Sequence, residues 1–290
     1  MRNKLTDELA ICGVNAVAAA AEYHPDNINR LFLREDRLRS FTGICKKLAE
    51  RKRPYKLCED EELERICKTV HHQGVVAMIY APELRPLTRE DLDDWSQNGK
   101  TGLVLPSIGN DHNLGAIVRS AAFFDASIII LPAESREDAI PSGKEKPSDE
   151  DPSSNEDNPS YVTTSAYRIA EGGMEHVRIF TVRSITAFLK DASRCLVTIG
   201  TDMRARQRIR DLPQIITEQS DRMSRRRTAQ TTEKNPRPGI ALVLGNEETG
   251  LSREIKDNCS ILVRIPGTGF MESLNVAQAA NLFLYELFNL

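Results

Sequence analysis

The chain has 290 residues, 39 Lys and Arg against 42 Asp and Glu, a formal net charge of −3 and 40% hydrophobic residues. That length suits one large or two modest domains with a real core, and the charge balance excludes a chain that is basic throughout and binds polyanions by bulk charge. No apolar run approaches the ~18 residues of a membrane span. The six cysteines (Cys12, Cys45, Cys58, Cys67, Cys195, Cys259) form no Cys-x-x-Cys pair, so reduced thiols are expected rather than a disulfide framework or a zinc site.

The first residues combine a charged start with an Ala-rich segment that acids interrupt, and no clean cleavage site follows. They do not read as a signal peptide, and a cytoplasmic protein is expected. Residues 1–80 then alternate helix-like and strand-like stretches. Helices are expected at Val14–Tyr23, Phe41–Arg51 and Glu59–Thr69, and strands at Ile28–Leu33, Tyr55–Cys58 and Gly74–Tyr80. That pattern makes a small α/β domain. Tyr23, Tyr55 and Tyr80 are expected in its core. Residues 81–101 are polar and carry prolines, which reads as a linker holding one short helix with Thr88 as its N-cap.

Residues 102–290 form the remaining domain. Short, mostly uninterrupted apolar runs at Leu103–Leu105, Ser127–Leu131, Arg178–Val182, Leu196–Gly200, Ile240–Leu244 and Ile261–Ile265 are the pattern of buried parallel strands with helices on both sheet faces. Two charged segments interrupt them. Residues 134–160 hold nine acidic and three basic side chains, and residues 204–238 hold ten Lys and Arg against four acids. Both read as mobile insertions without apolar periodicity. The second is either a solvated face or a phosphate contact, through Arg204, Arg206, Arg208, Arg210 and Arg225 to Arg227.

Three motifs carry chemistry. Asn110-Asp111-His112-Asn113-Leu114-Gly115-Ala116-Ile117-Val118-Arg119-Ser120-Ala121 follows the first buried strand and opens a helix whose apolar face holds Ile117, Ala121 and Phe124. Arg119 is a charge in a mostly apolar helix, either paired within the protein or free to bind an anion in bidentate fashion. Gly245-Asn246-Glu247-Glu248-Thr249-Gly250-Leu251 breaks a buried strand into an acidic turn, where open parallel sheets bind ligands. Ile265-Pro266-Gly267-Thr268-Gly269-Phe270-Met271-Glu272-Ser273-Leu274-Asn275-Val276 leaves the last strand through a Gly-rich loop into a C-terminal helix. Its Gly267-x-Gly269 lacks the third glycine and the following strand of a dinucleotide fingerprint, so a nicotinamide-dependent oxidoreductase is a remote reading. The histidines have no metal-ligand spacing, and Trp95 and the tyrosines do not interleave with basic residues as a base-stacking platform would.

In order and spacing these motifs resemble those of the SpoU (TrmH) family of RNA ribose 2′-O-methyltransferases, within the knotted SPOUT class. Asn113-x-Gly115-x-Ile117-x-Arg119 is similar to its first motif. Gly245-x-Glu247-x-x-Gly250-Leu251 is similar to its second, and Ile265-Pro266 with Ser273-Leu274-Asn275-Val276 to its third. Gly13-x-x-Ala16-Val17 and His72-Gln73-Gly74-Val75 resemble the family's N-terminal substrate-binding domain. Two departures stand out: Asp111 follows Asn110 where the family usually has Pro, and Ala277 stands where Ser is common. Asp111 adds negative charge near an expected RNA path.

The resemblance implies an α/β fold: a small RNA-binding domain followed by a parallel-sheet SPOUT domain with a deep trefoil knot. It implies S-adenosylmethionine as cofactor, held by Gly245, Ile265 and Leu274 with Thr201 as a further candidate, no metal, and a homodimer that completes the substrate site across its interface. It assigns catalysis to Arg119, Asn113, Glu247, Ser273 and Asn275. The expected activity is 2′-O-methylation of a ribose in structured RNA, tRNA or rRNA. Arg119 acts as base, or as a phosphate clamp that stabilises the developing alkoxide. The rival is a protein of the same fold that binds RNA without turnover.

Overall fold

The computed structural model describes residues 2–3, 7–82, 84–108, 110–133, 162–226 and 237–290. Two sheets organise them. The first contains β1 (Arg2–Asn3), β2 (Glu8–Cys12), β3 (Ile28–Leu33), β4 (Tyr55–Leu57) and β5 (Val75–Tyr80), with helices α1 (Val14–Tyr23), α2 (Leu38–Glu50) and α3 (Asp60–Cys67). Its order is β1-β2-β5-β3-β4, with β5 antiparallel to both neighbours and β3 parallel to β4. The pleat sends successive side chains to opposite faces. Leu9, Ile11, Leu31, Leu33, Val75, Ala77 and Ile79 pack with α1 and α2. Ala10, Cys12, Val76 and Met78 pack with Leu63 and Cys67 of α3.

Strand β2 is absent from the sequence reading because it opens on an acid. Glu8 is buried, and its carboxylate is paired with Arg30 and accepts from Asn29, which offsets the cost of taking the charge out of water. The tyrosine expectation is corrected as well. Tyr23, Tyr55 and Tyr80 are exposed, and the core positions around them are aliphatic. All six cysteines are free thiols.

The second sheet contains β6 (Arg85–Pro86), β7 (Thr101–Val104), β8 (Ala126–Pro132), β9 (Arg178–Val182), β10 (Val197–Thr201), β11 (Gln207–Arg208), β12 (Ile240–Val243) and β13 (Ile261–Arg264). Its helices are α4 (Arg89–Gln97), α5 (Asp111–Phe123), α6 (Thr164–Ala170), α7 (Ile185–Ala192), α8 (Leu212–Arg226), α9 (Arg253–Asp257) and α10 (Val276–Phe288). The order is β11-β13-β10-β12-β7-β8-β9-β6, and every pairing is parallel. One face packs Leu103, Ile129, Ile199, Leu242 and Val263 against α5, α8 and α10. The other packs Val104, Ile128, Ile130, Ala241 and Val243 against α4 and α7. Burial on both faces explains why these strands read as continuous apolar runs rather than alternating ones. The first sheet packs against this unit through Val162 and Tyr167, which join the cluster under α1 and α2.

Two stretches are more ordered than the sequence suggested. Residues 85–97, expected in a linker carrying one short helix capped by Thr88, supply that helix as α4 and add an edge strand of the second sheet. Thr88 is the N-cap of α4 in a reciprocal box with Asp91. Arg85 grips the same carboxylate through two bonds of 2.7 Å, and its guanidinium holds the Asp91 carboxyl well below the usual carboxylate range. Within 204–238, expected as a mobile insertion, β11 and α8 are formed. Leu212, Ile215 and Ile216 stand at helical spacing on α8 and are buried in the core, a periodicity that the flanking arginines mask. Residues 227–236 of that segment, and the acidic segment 134–160, lie outside the described residues.

Trp95 joins α4 to the centre of the second sheet. It is fully buried, stacks on Phe188 at 6.3 Å and donates from Nε1 to Lys100 O at 3.0 Å and Ile240 O at 3.2 Å. Gly102 on β7 leaves room for the ring, since a Cβ there would lie 2.5 Å from Trp95 Cζ2. Trp95→Ala is expected to destabilise the chain by about 3–5 kcal/mol, the ordinary cost of such a cavity, as read by urea unfolding against the wild type.

Candidate active site

Strands β13, β10, β12 and β7 are consecutive neighbours in the parallel sheet, so their C-terminal ends open onto one edge. Ligands of open α/β sheets bind at that edge. The chain leaves β7 for α5, β12 for the loop 244–252 and β13 for the loop 265–275, and all three sequence motifs therefore converge there.

Asn110 caps α5 by accepting from Asn113 N at 2.8 Å, which seats Asn113 in the first turn and nearly buries it. Asn275 caps α10 in the same way, through Ala277 N at 2.9 Å. Glu247 lies between the two helix starts. Its Oε1 accepts from Asn113 Nδ2 at 2.7 Å, Asn275 Nδ2 at 3.2 Å and Val276 N at 3.4 Å. Asn275 Nδ2 also donates to Asn113 Oδ1 at 3.0 Å, and Ser273 Oγ donates to Glu247 O at 3.2 Å. Residues separated by 134 and 162 positions in sequence thus share one hydrogen-bonded network.

The adjoining loop is equally constrained. Gly245 N donates to Thr201 Oγ1 at 3.4 Å, and Thr201 Oγ1 donates to Val243 O at 3.2 Å, which ties the end of β10 to the end of β12. No side chain fits at 245, because a Cβ would lie 2.5 Å from Gly250 C and 2.7 Å from Leu251 N. Beyond it, Leu274 is exposed, and Gly267 and Gly269 have open space where a Cβ would point. Ile265 is half-buried against the core.

Arg119 stands apart. It lies six residues past Asn113 on α5, about 9 Å along the axis and on another face. It is exposed, and its guanidinium makes no hydrogen bond or ion pair with any described residue. Of the two alternatives open in the sequence, pairing within the chain finds no partner among the described residues, and α5 presents Arg119 to the outside. Asp111 is taken up by Thr163 Oγ1 at 2.7 Å, the N-cap residue of α6. Sequence reading placed Asn110 and Val276 in the motifs without assigning them a role and did not mark Thr163, although N-cap preference was a signal for Asn110 and Thr163. Among the described residues no group of three His, Cys, Asp or Glu is placed to hold a metal ion, and no helix is long and apolar enough to cross a membrane.

Comparison with known proteins identifies two segments of the chain. Residues 154–285 match the SpoU rRNA Methylase family, and residues 10–85 match a domain described as RNA 2′-O ribose methyltransferase substrate binding. The motif 110–124 lies outside both segments. A 23S rRNA (guanosine-2′-O-)-methyltransferase RlmB of Nitrosomonas europaea is 26% identical over 289 residues, covering 98% of this chain and 92% of the relative. The protein of that name from Ralstonia nicotianae is 28% identical over 281 residues, covering 95% and 93%. An AdoMet-bound rRNA methyltransferase from Sinorhizobium meliloti shares the fold with a TM-score of 0.65 at 20% identity, over 97% of this chain and 87% of that one.

Removing the Glu247 carboxylate leaves three donors without their shared acceptor. Glu247→Ala is expected to cost about 1–3 kcal/mol, and Glu247→Gln, which keeps an oxygen there, clearly less. Paired denaturation curves check the order. Equal midpoints for the two variants would show that the network does not hold the loops.

Proposed function

The chain belongs to the SpoU family of RNA methylases, and from that premise we propose that it transfers a methyl group from S-adenosylmethionine to a ribose 2′-hydroxyl of ribosomal RNA. The observation that carries the reading is the Glu247 network, which draws one polar residue from each of the three motifs to the ligand edge of the sheet. The named relatives act on guanosine of 23S rRNA, so a guanosine in large-subunit RNA is the substrate this reading assigns, with the first sheet as the substrate-binding unit. The cytoplasmic location expected from the sequence belongs to the same reading.

S-adenosylmethionine fits the groups present. Gly245, Ile265 and Leu274 would hold it, with Thr201 fixing the Gly245 amide. Backbone amides beside half-buried and exposed apolar side chains suit a purine nucleoside, and the open space above Gly267 and Gly269 gives it room. When bound, it supplies an electrophilic methyl group on a sulfonium sulfur. The chain's own task is then alignment, since bringing a weak nucleophile in line with a good electrophile supplies much of the rate. Asn113 and Asn275, locked by Glu247, position the nucleotide, and Ser273 lies beside them. Arg119 stabilises charge as the hydroxyl loses its proton to solvent water. A guanidinium resists deprotonation at neutral pH, so polarising the hydroxyl or clamping the adjacent phosphate is its physical role.

The homodimer and the deep trefoil knot are part of this proposal. Phe123 is 78% exposed, Tyr285 55% and Phe288 54%, and with Phe124 they form a ridge of ring contacts across α5 and α10 at 4.9–6.2 Å. An apolar ridge of this kind favours a protein interface. A second copy seated on it gives Arg119, which touches nothing in the network of its own chain, a network to serve in the partner.

The test is transfer of labelled methyl from S-adenosylmethionine to rRNA from cells lacking this gene, followed by digestion to locate the modified ribose. Arg119→Ala is expected to lower the turnover rate by about 10²–10³ with donor binding kept. Full transfer by the variant would remove Arg119 from the mechanism. Donor binding with no transfer by the wild type would favour the non-catalytic RNA binder.

A further inference from the structure

Between the end of β10 and the start of α8, Arg204, Arg206, Arg208 and Arg210 occur at every second position. All four are exposed, and their guanidinium groups make no hydrogen bond or ion pair with any described residue. The nearby acids are already engaged. Asp202 is held by Lys256 at 2.9 Å and by the backbone amide of Arg204, and Asp211 accepts from the backbone amide of Arg208 at 3.0 Å. Several exposed arginines elsewhere are paired, as Arg89 is with Asp93, Arg194 with Asp191 and Arg253 with Asp257, whereas Arg119 and Arg183 stand singly and without a partner among the described residues.

The placement of these charges carries a cost that the protein does not offset. Strand β11 pairs in parallel with β13, and Arg208 is in register with Arg264. Register partners point to the same face on strands ~4.8 Å apart, so two like charges stand side by side. Arg206 lies in the bend just before β11, and Arg210 in the single helical turn just after it, so both are close to Arg208 along the chain. Arg264 is half-buried, and its Nε has no hydrogen-bond partner among the described residues. Two guanidinium groups in register, with three more exposed ones within four residues of Arg208 along the chain, make a cationic segment suited to a polyanion, and phosphodiester oxygens match that fork geometry.

We propose that the Arg204-Arg206-Arg208-Arg210 stripe on the β11 edge is a track for the RNA backbone, holding the strand that runs out of the active site on the side away from the first sheet. The position supports this. Arg264 directly precedes the loop that carries Ser273 and Asn275, so the stripe lies one strand from the candidate site. The first sheet packs near the opposite end of the eight-stranded sheet, through Met174 and Ile179 beside β9. RNA bound at both ends spans the C-terminal edge, with the target ribose between. The inference rests on the methyltransferase reading but is measured separately from it.

The probe is a labelled single-stranded oligouridylate, titrated over a range of salt against the wild type and the variant Arg204→Gln/Arg206→Gln/Arg208→Gln/Arg210→Gln. Every phosphate that the variant leaves without its guanidinium flattens the log–log salt dependence by about 0.7, so four such phosphates change the slope by up to about 3. A control variant, Arg89→Gln/Arg194→Gln/Arg253→Gln, is expected to change it far less per charge removed. On rRNA, the stripe variant should raise KM with kcat nearly kept and donor affinity unchanged. An unchanged slope, an equal change per charge in the control, or weakened donor binding with RNA affinity intact would overturn the proposal. A wild type with a stripe-dependent slope but no methyl transfer would uphold the stripe and overturn the assigned activity.

Discussion

The Glu247 carboxylate holds the candidate site together. One oxygen accepts from Asn113 at the start of α5, from Asn275 at the start of α10 and from the amide of Val276. Each helix start leaves backbone donors unsatisfied; Asn110 caps α5 and so seats Asn113, whose Nδ2 reaches Glu247, while Asn275 caps α10 and turns its own Nδ2 to the same carboxylate. The loops after β7, β12 and β13 therefore cannot move independently without giving up hydrogen bonds in a partly buried setting, where an unmade bond is expensive. The tight approach of Gly245 to Gly250 and Leu251 reinforces the same constraint from the backbone side. The sheet supplies the platform, and the carboxylate sets the relative placement of what stands on it.

Much of the fold was legible because burial on both faces leaves a simple trace. Strand β9 was expected at Arg178–Val182 and helix α1 at Val14–Tyr23, and both have those bounds in the structure. The failures share a cause: charge obscured a real apolar pattern. Glu8 hid β2, although four of its five residues are apolar and all five are buried. The arginines around Leu212, Ile215 and Ile216 hid α8. The short strands β6 and β11 have two residues each, too few for any periodicity, and exist because a neighbouring strand offers a ladder. The tyrosines erred in the opposite direction. An amphipathic ring satisfies its apolar body at a surface, so aromatic character alone did not mark the core.

The site was legible in its residue types and less so in its geometry. The resemblance of the motifs to a family marked Asn113, Glu247, Ser273 and Asn275, and the structure brings them together, but nothing in the sequence indicated that a glutamate would bridge two asparagines. Arg119 shows the limit. A sequence places it in an apolar helix, and only the helix rotation decides whether that means a buried ion pair or an exposed cation. Here the rotation leaves the guanidinium outside, without a partner among the described residues, so it does not hold the fold through an ion pair with them.

That exposure, together with the arginine stripe, shapes the chemistry. A ribose hydroxyl is a poor nucleophile, and the chain offers no unpaired carboxylate or poised histidine in the network to take its proton: Glu247 is spent on three donors and Asn113 and Asn275 on each other. In the proposed function, rate comes instead from placing the hydroxyl in line with the methyl group and from positive charge that favours the alkoxide. Cations are inexpensive to keep at a surface and strong once RNA excludes water from around them, since the same charge acts through a lower effective dielectric. A protein that catalyses by alignment has reason to keep its network rigid and uncharged toward the substrate, and to leave its arginines unpaired until the RNA arrives.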